Sequence, residues 1–303
     1  MQPAPQLNTR SPARGAVSQQ EREDTMRLTM LLLPALSLAA GAAFAQDCPE
    51  NLPVIEPGKL TMSINATIPP TQYIDESGEL VGLHRELGDA LAEYLCLEPV
   101  YQNVSFEVQI PGLASERWDM INTGLFYTPE RAKIMQLVPY RVNALALIAP
   151  ADNPAGIESA EDLAGKVVGV EIAGFEETTL RELDAAQVAK GLEPMDIRVF
   201  NTYGDTFLAL GAGQLDAVFA ADSTGTYYQE QGKFSKPVTG LLPGTPSAFA
   251  TDQVALAEAI RDALTRMSED GIYQELMGKF GATTIDNWSE YGGEFEVYFT
   301  PEG

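Results

Sequence analysis

Histidine is almost absent from this chain: His84 is the only one among 303 residues, so a metal site built on two or more histidines is excluded. Cysteine is nearly as rare. Cys48 and Cys96 are the whole complement and no C-x-x-C occurs, which argues against a zinc site and against dithiol redox chemistry. Basic residues are few, 19 Lys and Arg against 43 Asp and Glu. The net charge of −24 argues against nucleic acid and anionic membrane surfaces, both of which need a basic face. A small anionic ligand stays open, because one arginine and nearby backbone amides outweigh a distant, screened field. No Gly-rich phosphate loop is present: Gly211-Ala212-Gly213 lacks the dinucleotide and P-loop spacings and reads as a helix stop. Carboxylate pairs are inevitable with so many acids and carry no information about acid–base chemistry. His84 begins an amphipathic helix and reads as a surface or capping residue. No cofactor and no metal are expected.

Long apolar runs are confined to one place. Met26-Arg27, a Leu/Ala-rich stretch from Leu28, and Ala43-Phe44-Ala45 have the basic, apolar and small-residue regions of a secretory signal peptide. Cleavage after Ala45 and export are therefore expected, with residues 1–25 as an upstream extension. Pro34 and Ser37 break the run too early for a membrane anchor, and Cys48 stands too far from Ala45 for a lipid-modified form. Removing residues 1–45 leaves 258, enough for one large domain or two lobes of about 100 to 150. The removed segment holds four arginines and three acids, so the net charge moves from −24 to −25. In an exported chain Cys48 and Cys96 most simply form one disulfide, stabilising by about 4 kcal/mol and tying the new N-terminus to the first helix.

Beyond the leader, short apolar strands alternate with amphipathic helices, which indicates an α/β architecture with largely parallel sheets. Strands are predicted at 60–64, 100–104, 120–123, 167–170, 197–200 and 217–219, and helices at 84–95, 176–189, 205–210, 252–267 and 272–280. Ser159-Ala160-Glu161-Asp162 caps a short helix that Gly165 stops. The β-prone run 140–148 is too long for an ordinary strand and suits a crossing between two lobes; 241–246 suits a second. No repeat or low-complexity tract is present after the leader, and the acidic, aromatic last twenty-odd residues have no placement.

Gly124-Leu125-Phe126-Tyr127-Thr128-Pro129-Glu130-Arg131 carries the most chemistry. An apolar strand runs straight into a helix start, with Thr128 as N-cap, Pro129 at the first helical position and Arg131 in the first turn. Backbone N–H groups and a guanidinium fork together match a carboxylate. From these residues alone, Arg131 either takes such a ligand or is held by one of the chain's many acids. Glu171 and Glu176 flank the loop after the 167–170 strand and read as solvated faces within reach of a ligand.

The order of motifs resembles the exported solute-binding proteins of ABC importers, in their polar amino-acid branch. The matching residues are Pro69-Pro70, Gly78-Glu79-Leu80-Val81-Gly82, Leu113 with Trp118-Asp119, Gly124 to Arg131, Tyr140, Glu161-Asp162-Leu163 with Gly165 to Val170, Leu215-Asp216-Ala217-Val218, Tyr227-Tyr228 and Asp270-Gly271, over about residues 57–281. The resemblance implies a type II periplasmic-binding-protein fold: lobe one at 46–145 plus 246–303, lobe two at 146–245, ligand between them and hinge closure. It implies a periplasmic, monomeric protein that captures an amino acid or other small carboxylate and passes it to a membrane permease. Arg131 would hold the carboxylate, the amides of Gly124 and Phe126 would assist, and Gly174, Phe175 and Ile68 would shape the pocket.

Departures from the family pattern bear on the ligand. The usual amine-binding aspartate is Ala221 here, with Asp222 one step later, where a one-residue bulge would restore it. Phe126 replaces a small hydroxyl residue, Ala173-Gly174-Phe175 replaces a Gly-Ser/Thr-Thr loop, and Ile68 stands where an aromatic is frequent. These changes favour an apolar or aromatic ligand side chain if the rings face the cleft; otherwise they are core. Cyclohexadienyl dehydratases resemble the same scaffold and keep a similar arginine turn, so an enzyme is the alternative. A sensory or accessory periplasmic binding protein is another.

Overall fold

The computed structural model describes residues 48–285. In chain order the strands are β1 (Lys59–Ile64), β2 (Thr67–Ile68), β3 (Gln72–Ile74), β4 (Leu80–Val81), β5 (Glu98–Asn103), β6 (Met120–Phe126), β7 (Gln136–Pro150), β8 (Val167–Glu171), β9 (Asp196–Phe200), β10 (Ala217–Ala221) and β11 (Phe234–Thr251). The helices are α1 (Leu83–Tyr94), α2 (Gln109–Ala114), α3 (Pro129–Ala132), α4 (Phe175–Ala189), α5 (Tyr203–Gly211), α6 (Asp222–Glu230), α7 (Val254–Glu269) and α8 (Ile272–Lys279). The leader, its cleavage point and the acidic tail lie outside the described residues.

Eight strands form one sheet in the order β5-β1-β6-β11-β7-β10-β8-β9. At its two ends the pairing is parallel, as expected of buried strands in alternating units: β1 with β5 and β6, and β8 with β9 and β10. The centre differs from the expected parallel pattern. β7 and β11 run antiparallel to each other and to their neighbours β10 and β6. They are also longer than their sequences suggest, 15 and 18 residues. The stretch 241–246, expected as a second crossing, lies inside β11; Gly240 and Gly244 fall at shifts of register against β7, and Pro246 stays paired with Val142. β2, β3 and β4 form a small antiparallel sheet of their own.

Apolar side chains divide between the two ends. At one end Leu60, Met62, Leu87, Leu91, Tyr140, Phe249, Ile260 and Met277 pack together; at the other Leu145, Leu147, Leu163, Val168, Val170, Leu180 and Phe219 do. Phe126 belongs to the second group although it ends β6. Trp118-Asp119 serves the fold. The Trp118 indole N–H donates to the Gln109 carbonyl at 3.1 Å, and the Asp119 carboxylate accepts from the Ile55 and Thr61 amides at 2.6 and 2.7 Å. Cys48 and Cys96 are joined, with Cα atoms 5.6 Å apart.

Candidate functional site

Strand β6 delivers the chain into the arginine turn as its sequence predicts. The Thr128 hydroxyl caps α3 by accepting from the Arg131 backbone N–H at 3.2 Å. With only four residues, α3 contributes little dipole, so attraction for an anion falls to the side chain of Arg131. That side chain is 9% exposed. Its Nη1 donates to the Phe126 carbonyl at 2.7 Å and its guanidinium lies over the Phe106 ring at 5.4 Å. Burial lowers its pKa from the ordinary arginine value, and Glu176 opposes that shift. No carboxylate among the described residues closes an ion pair with it within 4 Å.

Glu171 and Glu176 face the same cavity, and neither is on a solvated face as their sequence suggested. Glu171 ends β8, buried on both faces of the sheet, and is 3% exposed; Glu176, in the first turn of α4, is 8% exposed. Oε1 of Glu171 accepts from the Asn65 side-chain amide at 2.6 Å and from the Tyr203 backbone N–H at 3.2 Å. Burial, reinforced by the neighbouring Glu176, pushes the Glu171 carboxyl up to about 8. Glu176 is raised as well, by burial, with Arg131 acting against the shift. Tyr203 is raised far above the ordinary phenol value by burial, then by the two acids.

A testable consequence is the pH profile of stability. A carboxyl raised on folding contributes stability that is complete below its unfolded pKa and is lost as pH climbs through its folded value. The unliganded chain should lose on the order of a few kcal/mol between about pH 4.5 and 8 through Glu171. Thermal melts across that range should flatten in Glu171→Gln; an unchanged slope would assign the titration to another group.

His84 is also relocated by the structure: it is fully buried, not on the surface. Its ring follows Leu87, Gly88 and Leu91 on the inner face of α1. Gln72 Nε2 donates to the Thr123 carbonyl at 2.9 Å, which leaves Gln72 Oε1 to accept from His84 Nδ1 at 2.5 Å. Nε2 is then an acceptor for the Tyr140 hydroxyl. Burial, followed by Arg141, holds the imidazole pKa well below its ordinary value, so the ring is neutral. This chain of polar groups fixes the floor under Gly124. At φ +74°, with His84 Cε1 only 2.7 Å from where a Cβ would stand, Gly124 tolerates no side chain.

The cavity of about 40 Å³ beside Arg131 gathers six of the seven proposed ligand contacts: Arg131, Gly124, Phe126, Phe175, Gly174 and Ile68. Phe126 and Phe175 face each other at 5.1 Å and both line it, Phe126 being core and wall at once. Asp222 is the exception. The β10–β7 register runs unshifted to Ala221↔Leu145, so the bulge that would have turned Asp222 inward does not form. Ala221 lines the small cavity, while the Asp222 carboxylate is bonded to Lys236 Nζ at 2.9 Å, the Thr239 hydroxyl and the Gly240 amide at 3.2 Å. It lines a second, more open cavity of about 540 Å³. The larger opening is thus not the one at Arg131, and the two cavities share Arg141 and Asn143. Sequence reasoning missed Arg141 and Asn143; an arginine interrupting the apolar run 140–148 was the available signal.

Among the described residues no group of three or more His, Cys, Asp or Glu is placed to hold a metal, and no helix is long and apolar enough to cross a membrane. Residues 60–283 match the bacterial extracellular solute-binding proteins, family 3. The L-cystine-binding protein TcyJ of Escherichia coli K12 is 25% identical over 269 residues, 84% of this chain and 96% of that protein. An ancestral arginine-binding protein solved with arginine superimposes with a TM-score of 0.66 at 27% identity, over 74% of this chain and 98% of that one. An ancestral amino acid-binding protein described as a precursor of cyclohexadienyl dehydratase does so with the same TM-score at 25% identity, over 74% and 95%. With the arginine turn, the two-ended sheet and a match over residues 60–283, the chain belongs to the bacterial extracellular solute-binding proteins, family 3.

Proposed function

We propose that this protein captures an amino acid between two lobes, 46–145 plus 246–303 and 146–245, and delivers it to an ABC permease as a monomer in the periplasm, after cleavage behind Ala45. One observation carries the choice of ligand: buried Arg131 and the buried pair Glu171 and Glu176 line the same cavity. A zwitterion satisfies both, its carboxylate on the Arg131 fork and the amides of Gly124 and Phe126, its ammonium on the acids. Glu171 and Glu176 thereby supply what Ala221 lacks and Asp222, bonded to Lys236, is turned away from. Phe126, Phe175, Gly174 and Ile68 enclose the ligand's carbon skeleton.

Closure follows from the same groups. The Asn65–Glu171 hydrogen bond and the Phe126–Phe175 contact join the lobes, so a ligand must add differential affinity for the closed arrangement to hold it.

Thermal shift against L-amino acids paired with their 2-oxo analogues tests the amine. A ligand at about 1,000 times its Kd adds roughly 4 kcal/mol. Amino acids should stabilise and the oxo acids should not, and Glu171→Gln combined with Glu176→Gln should abolish the difference. Equal stabilisation by both classes would remove the amino acid from the proposal.

A second function is favoured by one observation: a carboxyl held protonated near neutral pH in the cavity is what a dehydratase on this scaffold needs, and Glu171 is such a group. Turnover of prephenate or arogenate that stops in Glu171→Gln would establish the enzyme; binding without turnover leaves the carrier.

A further inference from the structure

Arg141 is the second arginine of the site and the less expected one. It lies on β7 opposite Ser247, is 4% exposed, and forms part of the wall of both cavities. Its Nη2 is 3.5 Å from where a Cβ on Gly124 would stand, so it reaches the arginine turn from β7. Its Nε has no hydrogen-bond partner, and no carboxylate among the described residues lies within 4 Å of its guanidinium. The groups beside it, the His84 imidazole and the Tyr140 hydroxyl, are neutral at physiological pH. A buried guanidinium with no acid beside it among the described residues is costly, and its position at the wall of a cavity points to a partner that arrives from outside. Asn143 stands two residues on with the same feature. Its Oδ1 accepts from the Ala144 amide at 2.9 Å, while its Nδ2 is buried with no partner and borders both cavities.

We propose that Arg141, assisted by the Asn143 amide, is a second anion anchor, and that the ligand is an acidic amino acid whose side-chain carboxylate it holds. The inference rests on Arg131 taking the α-carboxylate. Space agrees: the cavity at Arg131, about 40 Å³, has room for only about three waters, whereas the shared wall opens towards about 540 Å³. A ligand anchored at Arg131 therefore extends past Arg141 and Asn143. Charge agrees too. Two arginines give two positive charges, and two adjacent buried carboxyls resist ionising together, which leaves one negative. A ligand of net charge −1 completes neutrality; a neutral amino acid does so only with both Glu171 and Glu176 ionised.

Isothermal titration of the purified chain with L-aspartate, L-glutamate and L-2-aminoadipate, against L-asparagine and L-glutamine, tests the anchor. At least one acid should bind about 50-fold or more tightly than its amide. Arg141→Met should reduce the acid to the affinity of the amide and leave the amide within a few-fold. Arg141→Lys should recover part of the difference. Without ligand, Arg141→Met should melt at the same or a higher temperature, because an unpaired buried charge has been removed. A purely structural arginine would instead lower the melting temperature. Equal affinities for acid and amide in the unsubstituted chain, or equal losses of both in Arg141→Met, overturn the second anchor and leave the amino-acid carrier standing. No binding of any of the five overturns the acidic ligand and the second anchor, while the carrier reading is then decided by the wider panel of L-amino acids in the thermal shift.

Discussion

Arg131→Ala lowers affinity for the bound amino acid by about 100- to 1,000-fold, the loss that follows when one member of a buried, hydrogen-bonded charge pair is removed. The effect is large because the guanidinium is 9% exposed and partly oriented already, its Nη1 on the Phe126 carbonyl, so little ordering is left to ligand binding. The fold should survive. The cap of α3 uses the backbone N–H of residue 131 and the Thr128 hydroxyl, and both remain in the alanine variant. Arg131→Lys should recover only part of the loss, since an ammonium cannot present the planar fork to a carboxylate while serving Phe126. Calorimetric titration with unchanged circular dichroism is the check. Retention of affinity within a few-fold would displace Arg131 from the carboxylate and with it the proposed ligand pose.

Loss of the Cys48–Cys96 bond costs about 4 kcal/mol, as loop closure over 48 residues implies. For a domain of this size that lowers Tm by about 8 to 16 °C. Cys96 makes the number more interesting. It follows the end of α1 at φ +56°, with the Leu97 amide bonded back to the Ala92 carbonyl at 2.9 Å, a helix stop at which glycine is favoured. A cysteine there costs about 1 kcal/mol of backbone strain, which the cross-link must exceed. Scanning calorimetry of the Cys48→Ser, Cys96→Ser double variant, with and without reductant on the parent, measures it. A shift below about 2 °C would mean that residues 48–58 are held by their other contacts, such as Ile55 on Asp119.

Much of the architecture was legible because buried strands and amphipathic helices write their period into the sequence. β1, α1, β6, β8, α4, β10 and α7 fall within a few residues of their predicted ranges. The arginine turn was equally plain, since cap, proline and arginine are consecutive. What stayed hidden depended on register or on contacts distant in sequence. α6 carries Gly225 and Thr224 and has no strong apolar face, so nothing local announced it. Asp222 and Ala221 differ by one residue, and only the unshifted β10–β7 ladder decides which faces the cavity. Glu171 and Glu176 were singled out as within reach of a ligand but read as solvated, although an acid closing the apolar run Val167–Val170 is unlike the rest of the 43. His84 was misjudged from its place at the start of the helix, while its spacing to Leu87 and Leu91 already placed it inside.

β7 and β11 give the sheet a mechanical anisotropy. A ladder of regular hydrogen bonds is stiff, and its compliance concentrates where pairing slips. Three of the four slips in this pair fall between Ser235 and Thr245, and the fourth lies between Ser247 and Ala248. The slips therefore bracket a short regular stretch in which Asn143, paired with Thr245, and Arg141, paired with Ser247, stand. A ligand gripped by these two side chains holds the stiff stretch between two compliant ones, so ligands of different length should set different fold angles on either side of it, not merely different gaps between the walls.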